Sequence, residues 1–175
     1  MPTNAKTKAK LAAQRRSRRA KPAADSVIAL LKRDHREVEE MFDDFEELDG
    51  SAAKGKLARK ICLALKVHTQ IEEEIFYPAA RKATGDDKLL DEALVEHAGA
   101  KHLIAEIEKM KPGDNLFDAK VTVLGEQVKH HVKEEEDELF PEIEDSKMDA
   151  GAVGKQVAAR KKELMAQPQM MAAAE

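Results

Sequence analysis

Four of the six histidines in this 175-residue chain fall at equivalent points of an internal duplication, and that pattern restricts the fold more than any other feature. His35 is followed by His68 and Glu72; about sixty residues on, His97 is followed by His131 and Glu135. The gaps match closely, 33 residues from His35 to His68 and 34 from His97 to His131. A two-metal centre inside a four-helix bundle requires this arrangement, because each half then presents the same donors to a site between the halves.

The rest of the chain is consistent with helices alone. Charged residues make up 37%, Trp is absent and Tyr occurs once, while runs rich in Val, Ile and Thr are missing, so no strand needs to be invoked. Asp25 or Ser26 can cap a first helix, whose apolar positions recur at helical spacing through Ile28, Leu31, Val38, Phe42, Phe45 and Leu48, with Gly50 ending it. A second helix runs through Leu57, Ile61, Ile71 and Ile75 and stops before Gly85, with a disturbance at Pro78. A third runs through Leu90, Leu94, Ala100, Ile104 and Ile107 to Pro112-Gly113, and a fourth through Phe117, Val121, Leu124, Val128 and Leu139, with Pro141 near its end. In all four a histidine takes a place the apolar stripe would otherwise fill. Short connections imply antiparallel neighbours, so the expected fold is all-α, an up-down-up-down four-helix bundle over residues 25–145. Residues 146–175 are expected to form a short amphipathic helix from about Val153 to Met165 and a frayed end.

Residues four apart on a helix differ by only about 40° in direction, so His68 points with Glu72 and His131 with Glu135. With His35 and His97 inward on the other two helices, six donors converge at one level. Imidazole and carboxylate together suit iron, manganese or zinc, and no thiolate is present to favour a soft metal. A lone histidine on an apolar face is more often a hydrogen-bonded core residue than a ligand. Burying four imidazoles and two carboxylates without a cation, however, would leave several polar groups to satisfy at roughly 1–3 kcal/mol for each failure. His102 and His130 point about 100–140° away from the inward histidines and belong at a helix boundary or on the surface. Among the neighbouring acids Glu73, Glu74, Glu134 and Glu136, Glu73 and Glu136 are the best placed to hydrogen-bond a ligand. The lone Cys62 rules out an internal disulfide and reads as a small buried apolar residue.

These motifs resemble the hemerythrin-like HHE cation-binding domains: His35, His68-x3-Glu72-Glu73 ending in Phe76-Tyr77-Pro78, Glu96-His97, and His131-x3-Glu135-Glu136 ending in Leu139-Phe140-Pro141. The resemblance covers about residues 25–145. It implies a four-helix bundle holding a non-heme di-iron centre, with Glu72 and Glu135 as bridging carboxylates and His35, His68, His97 and His131 as terminal ligands. The similarity to the oxygen-carrying hemerythrins is poorer, because those have a fifth histidine where this chain has Lys101. Counting bonds on that basis leaves about two positions open on two octahedral ions. Ferritin-like di-iron bundles fit less well, since no histidine here has a glutamate three residues before it.

An open metal position activates small ligands, so the resemblance implies a protein that binds, senses or detoxifies O2, peroxide or NO, or one that handles iron. Two alternatives stand beside it. One is a metal-free bundle used for protein contacts. The other takes the basic tail as the functional part: residues 1–24 carry eight Lys and Arg and no acid, leaving 22 basic and 34 acidic residues in the remainder. Clustered cations within 6–21 bind nucleic acid or anionic surfaces through counterion release, with the metal site then structural. The same composition, without apolar content, predicts a disordered tail over residues 1–24. No apolar run is long enough to span a bilayer and no secretory signal is legible, so the expectation is a soluble, cytoplasmic protein.

Overall fold

The computed structural model describes residues 26–85 and 87–167. The disordered tail expected over residues 1–24 and the frayed end expected at the C-terminus, beyond residue 167, therefore lie outside the described residues. Among those described, every regular element is helical. Helix α1 spans Val27–Glu47 and α2 spans Ser51–Ile71. A π-helical turn, Glu72–Phe76, leads from α2 without a break into α3, Tyr77–Thr84. Helix α4 spans Lys88–Ile107 and α5 spans Phe117–Glu134. A second π turn, Glu135–Leu139, continues into α6, Phe140–Asp145. Helix α7, Ala150–Met165, closes the described chain.

Local chemistry accounts for the boundaries. The Ser26 side chain accepts from the Ala29 N–H at 3.2 Å and caps α1. Gly50 does not end α1, which stops at Glu47; with φ 91° it begins α2 instead, in a conformation that costs residues with a Cβ. The prolines do not end their helices either. Each follows a π turn in which the N–H of Tyr77 or Phe140 reaches back to the carbonyl of Glu72 or Glu135. Widening the ladder there makes room ahead of Pro78 and Pro141, whose rings would otherwise press on the preceding turn. The duplication thus repeats a backbone irregularity directly after each of the two glutamates. Helix α4 ends at Ile107, before Pro112-Gly113, and Ala93 rather than the partly exposed Leu94 faces inward. Helix α7 starts at Ala150, three residues ahead of the expected position, with Asp149 capping it through the Ala152 N–H at 2.9 Å.

Two apolar clusters form the interior. One gathers Leu31, Ile71, Phe76, Leu90 and Phe140 with Val157 and Leu164 of α7. The other gathers Phe45, Ile61, Ile104, Phe117 and Leu124. On each of α1, α2, α4 and α5 the inward histidine falls where the chain passes from one cluster to the other. Each fully buried Phe, Leu or Ile side chain contributes about 1.5–3 kcal/mol to holding that layer in place. The polar layer is clamped from both ends by close-packed residues, which is what keeps four imidazoles from separate helices at one level. Cys62 is buried in the second cluster, and burial pushes its thiol up to about 12.

Candidate metal centre

All six candidates from the sequence lie in this layer and all are buried: His35, His68, His97 and His131 with Glu72 and Glu135. They form two overlapping groups, His35–His68–Glu72–Glu135 and Glu72–His97–His131, within each of which one donor atom per residue lies within 4.8 Å of the others. Glu72 spans the two histidine pairs: its Oε1 is 3.2 Å from His68 Nε2 and its Oε2 is 3.3 Å from His97 Nε2. Glu135 Oε2 stands 3.4 Å from His35 Nε2 and 3.8 Å from His131 Nε2. In each His-x3-Glu pair the helix register alone brings imidazole and carboxylate together.

The donor set fits cations. Both oxygens of Glu72, Glu135 Oε2, His35 Nε2 and His68 Nε2 are buried polar atoms without a hydrogen-bond partner. Such atoms are costly in a dry interior, and here they point at one another around two common points. Protonation reflects the same crowding. Burial opposes charge on His68, but the Glu72 carboxylate and neighbouring acids outweigh it and raise the imidazole to about 10. His35 and His131 are also raised, against the effect of burial, by Glu135 with Glu136 and by Glu96 with Glu135 respectively. Glu72, although fully buried, is held well below the usual carboxylate range by His68 and His97. Divalent cations placed between these groups would take over the neutralising role of those protons.

Behind the histidines stands a second ring of acids. His35 Nδ1 faces Glu136 at 3.0 Å, His97 Nδ1 faces Glu73 at 2.9 Å, His131 Nδ1 faces Glu96 at 2.7 Å, and His68 Nδ1 has Asp34 at 3.7 Å. At His35, His97 and His131 the carboxylate on Nδ1 favours, once the ring is neutral, the tautomer in which Nε2 offers its lone pair inward, whereas His68 Nδ1 has no hydrogen-bond partner. Each acid in turn has a partner outside it: Arg36 on Glu136, Lys101 on Glu73, Lys161 on Asp34 and the His130 imidazole on Glu96. Glu136 is lowered to about 2 by His35 and Arg36 despite partial burial, and hydrogen bonding to His131 lowers Glu96.

Glu73 and Glu136 occupy the places the sequence suggested. Glu74 pairs instead with Arg160 of α7, and Glu134 with His130, while His102 is exposed on α4. Asp34, Glu96 and Tyr77 were not singled out as site residues by spacing. A signal for the first two existed: an acid directly precedes the lone histidine in both halves of the duplication. Tyr77 breaks the symmetry. Its hydroxyl donates to Glu135 Oε1 at 3.0 Å and lies 3.2 Å from His97 Nε2, whereas the equivalent residue of the second half, Phe140, has no hydroxyl and stacks on His35 with ring centroids 5.8 Å apart. Burial first, and then Glu135 and Glu72, push the Tyr77 phenol well above its ordinary value.

Beside the layer, on its second-cluster side, lies a partly enclosed cavity of about 20 Å³ lined by His35, His68, His97 and His131 together with Leu65 and Val128. That is room for about one water-sized molecule.

Residues 26–143 match the family model described as the Hemerythrin HHE cation binding domain. The fold is similar to the crystal structure of a hemerythrin HHE cation binding domain-containing protein from Mycobacterium kansasii, with a TM-score of 0.70 and 20% identity over 85% of this chain and 96% of that one. A relative named DNA nickase, from Nostoc sp. strain PCC 7120, is 27% identical over 114 residues, 65% of this chain but 32% of the relative. The chain thus spans about a third of that relative's length.

Proposed function

Because this chain belongs to the hemerythrin HHE cation-binding domain family, we propose that His35, His68, His97, His131, Glu72 and Glu135 hold two non-heme irons, and that the centre binds, senses or detoxifies O2, peroxide or NO. The observation that carries this reading is the buried layer of partnerless donor atoms facing a cavity for a single small molecule. A ligand of one or two heavy atoms matches that space, and a larger substrate does not reach the histidines without the surrounding side chains moving.

Irons held there would supply Lewis acidity and electrons to a small ligand. The protein's residues do the rest. Glu72 reaches both histidine pairs and is the better placed bridge; Glu135 has one oxygen engaged by Tyr77. Glu73, Glu96 and Glu136 orient the imidazoles, and Val128, Leu65 and Val38 keep bulk water from the cavity. The Tyr77 hydroxyl places one proton donor beside the His97–His131 pair and none beside His35–His68. Manganese or zinc would also suit these donors, and iron handling is compatible with the same site. The order in which successive long helices meet the two apolar clusters supports an up-and-down course over residues 25–145. Among the described residues no helix is long and apolar enough to cross a membrane.

The test is anaerobic purification with metal quantification, then optical spectra on adding O2, peroxide and NO in turn. Two irons per chain and rapid oxidation by at least one of these are expected. A chain without tightly held metal overturns the centre, and a long-lived, fully reversible oxygen adduct overturns the reactive role.

A second reading, association with nucleic acid through Lys and Arg of residues 6–21, is favoured by their charge and by the name of the Nostoc relative. Salt-dependent retention on DNA by the full chain, but not by a chain starting at Asp25, would support it.

A further inference from the structure

The two halves of the duplication differ on their outer faces. In the first half, the positions one before and three after the second histidine are Val67 and Ile71, both buried in the apolar cluster that contains Val157 and Leu164 of α7. In the second half the same positions are His130 and Glu134, on a face that α7 does not cover, with His130 64% exposed. Solvent exposure alone accounts for polar residues there. It does not account for their arrangement.

His130 Nε2 stands 3.3 Å from Glu134 Oε1 and 3.5 Å from Glu96 Oε1, and one donor atom from each of the three lies within 4.8 Å of the others. Two atoms bound to one ion at about 2.1 Å lie about 3.0–3.5 Å apart, so small adjustments would let the three share a cation. The other acids around the groove are already engaged, Asp91 by Arg81 and Glu92 by Lys88, which leaves Glu96 and Glu134 to His130. Glu96 also faces inward: its Oε2 is 2.7 Å from Nδ1 of the buried His131. The outer triad and the inner centre therefore share a carboxylate.

A path joins them. Glu96 and Glu134 line the open groove with His130, and the same two residues line a small crevice whose inner wall is His131 and Glu135. We propose that Glu96, His130 and Glu134 form a surface site for a divalent metal ion, and that ions captured there are passed through this crevice to the buried pair. One imidazole and two carboxylates form a weak, open site for hard-to-borderline divalent ions such as Fe2+, Mn2+, Co2+ or Zn2+, as capture and release require. The covering helix α7 explains why the first half has no counterpart.

This inference rests on the two-metal reading of the buried layer, and one titration separates them. The metal-free full chain is titrated anaerobically with Co2+, whose visible absorption counts ions and reports their rate of uptake. The wild type is expected to hold a tight pair and a third, weaker ion. A chain carrying both His130→Ala and Glu134→Gln is expected to lose the third ion only, to fill the pair more slowly, and to melt at an unchanged temperature once loaded. A wild type that binds only two ions overturns the surface site, and a variant that loads at the wild-type rate overturns the transfer. Absence of the tight pair instead overturns the buried centre.

Discussion

Replacing Tyr77 by Phe tests the structure at the point where its two halves differ. The substitution removes one oxygen and leaves the ring packed, and the fold already accepts a Phe at the equivalent position, Phe140. Its cost is therefore concentrated in the hydrogen bond to Glu135 Oε1, 3.0 Å long. Glu135 is only 2% exposed, so water does not replace the lost donor. A hydrogen bond to a charged group contributes about 1.5–3 kcal/mol. For a chain of this size that corresponds to a fall in melting temperature of about 3–12 °C. Thermal unfolding of the metal-free chain measures it, and a double-mutant cycle with Glu135→Gln isolates the pair. If the Tyr77→Phe chain unfolds within about 0.5 kcal/mol of the wild type, an effect typical of an inconsequential surface change, the phenol does not support Glu135 and the asymmetry of the site has no energetic content.

The metal-free and metal-loaded chains should part company at alkaline pH. Without metal, the raised His68, near 10, contributes stability in full below its ordinary value of 6.5 and loses it as pH rises through about 10; the lowered Glu72 contributes above its ordinary 4.5 and loses it on acidification. Melting temperature of the chelated chain should thus be highest between those ordinary values and fall towards alkaline pH, whereas the loaded chain, whose ligands must be deprotonated, should keep its stability there and lose it with its metal in acid. Two glycines on the helices should respond oppositely to alanine in chemical denaturation. A Cβ at Gly55 would meet Pro112 Cγ at 2.1 Å, an overpacking of about 1–3 kcal/mol that exceeds the gain in helix propensity, whereas at Gly99 the nearest atom is Gln127 Oε1 at 3.8 Å and the chain should gain up to about 1 kcal/mol.

Much of the layer was readable from sequence because it is built from short-range geometry repeated once. The i to i+4 relation orients His68 with Glu72 and His131 with Glu135 whatever the tertiary context, and the duplication says that both pairs serve one purpose. Glu73 and Glu136 follow by one step of the same helices. Asp34 and Glu96 also had a repeated position, but their role depends on which helix lies opposite, and spacing does not give that. The course of the chain at Pro78 and Pro141 was legible only as a disturbance, since a proline announces that the ladder must change and not whether the helix stops or widens into a π turn.

Sequence alone determined the helical periodicities, the duplicated donors and the charge contrast between the first 24 residues and the rest, because each depends on residue types at fixed separations along the chain. Tertiary structure decided the inequality of the halves. Tyr77 and Phe140 hold the same register, yet only the phenol meets a carboxylate 58 residues away; Val67 and His130 hold the same register, yet only one lies in the cluster beneath α7. Contacts between distant segments depend on how helices pack, and no periodicity within a single helix contains that information.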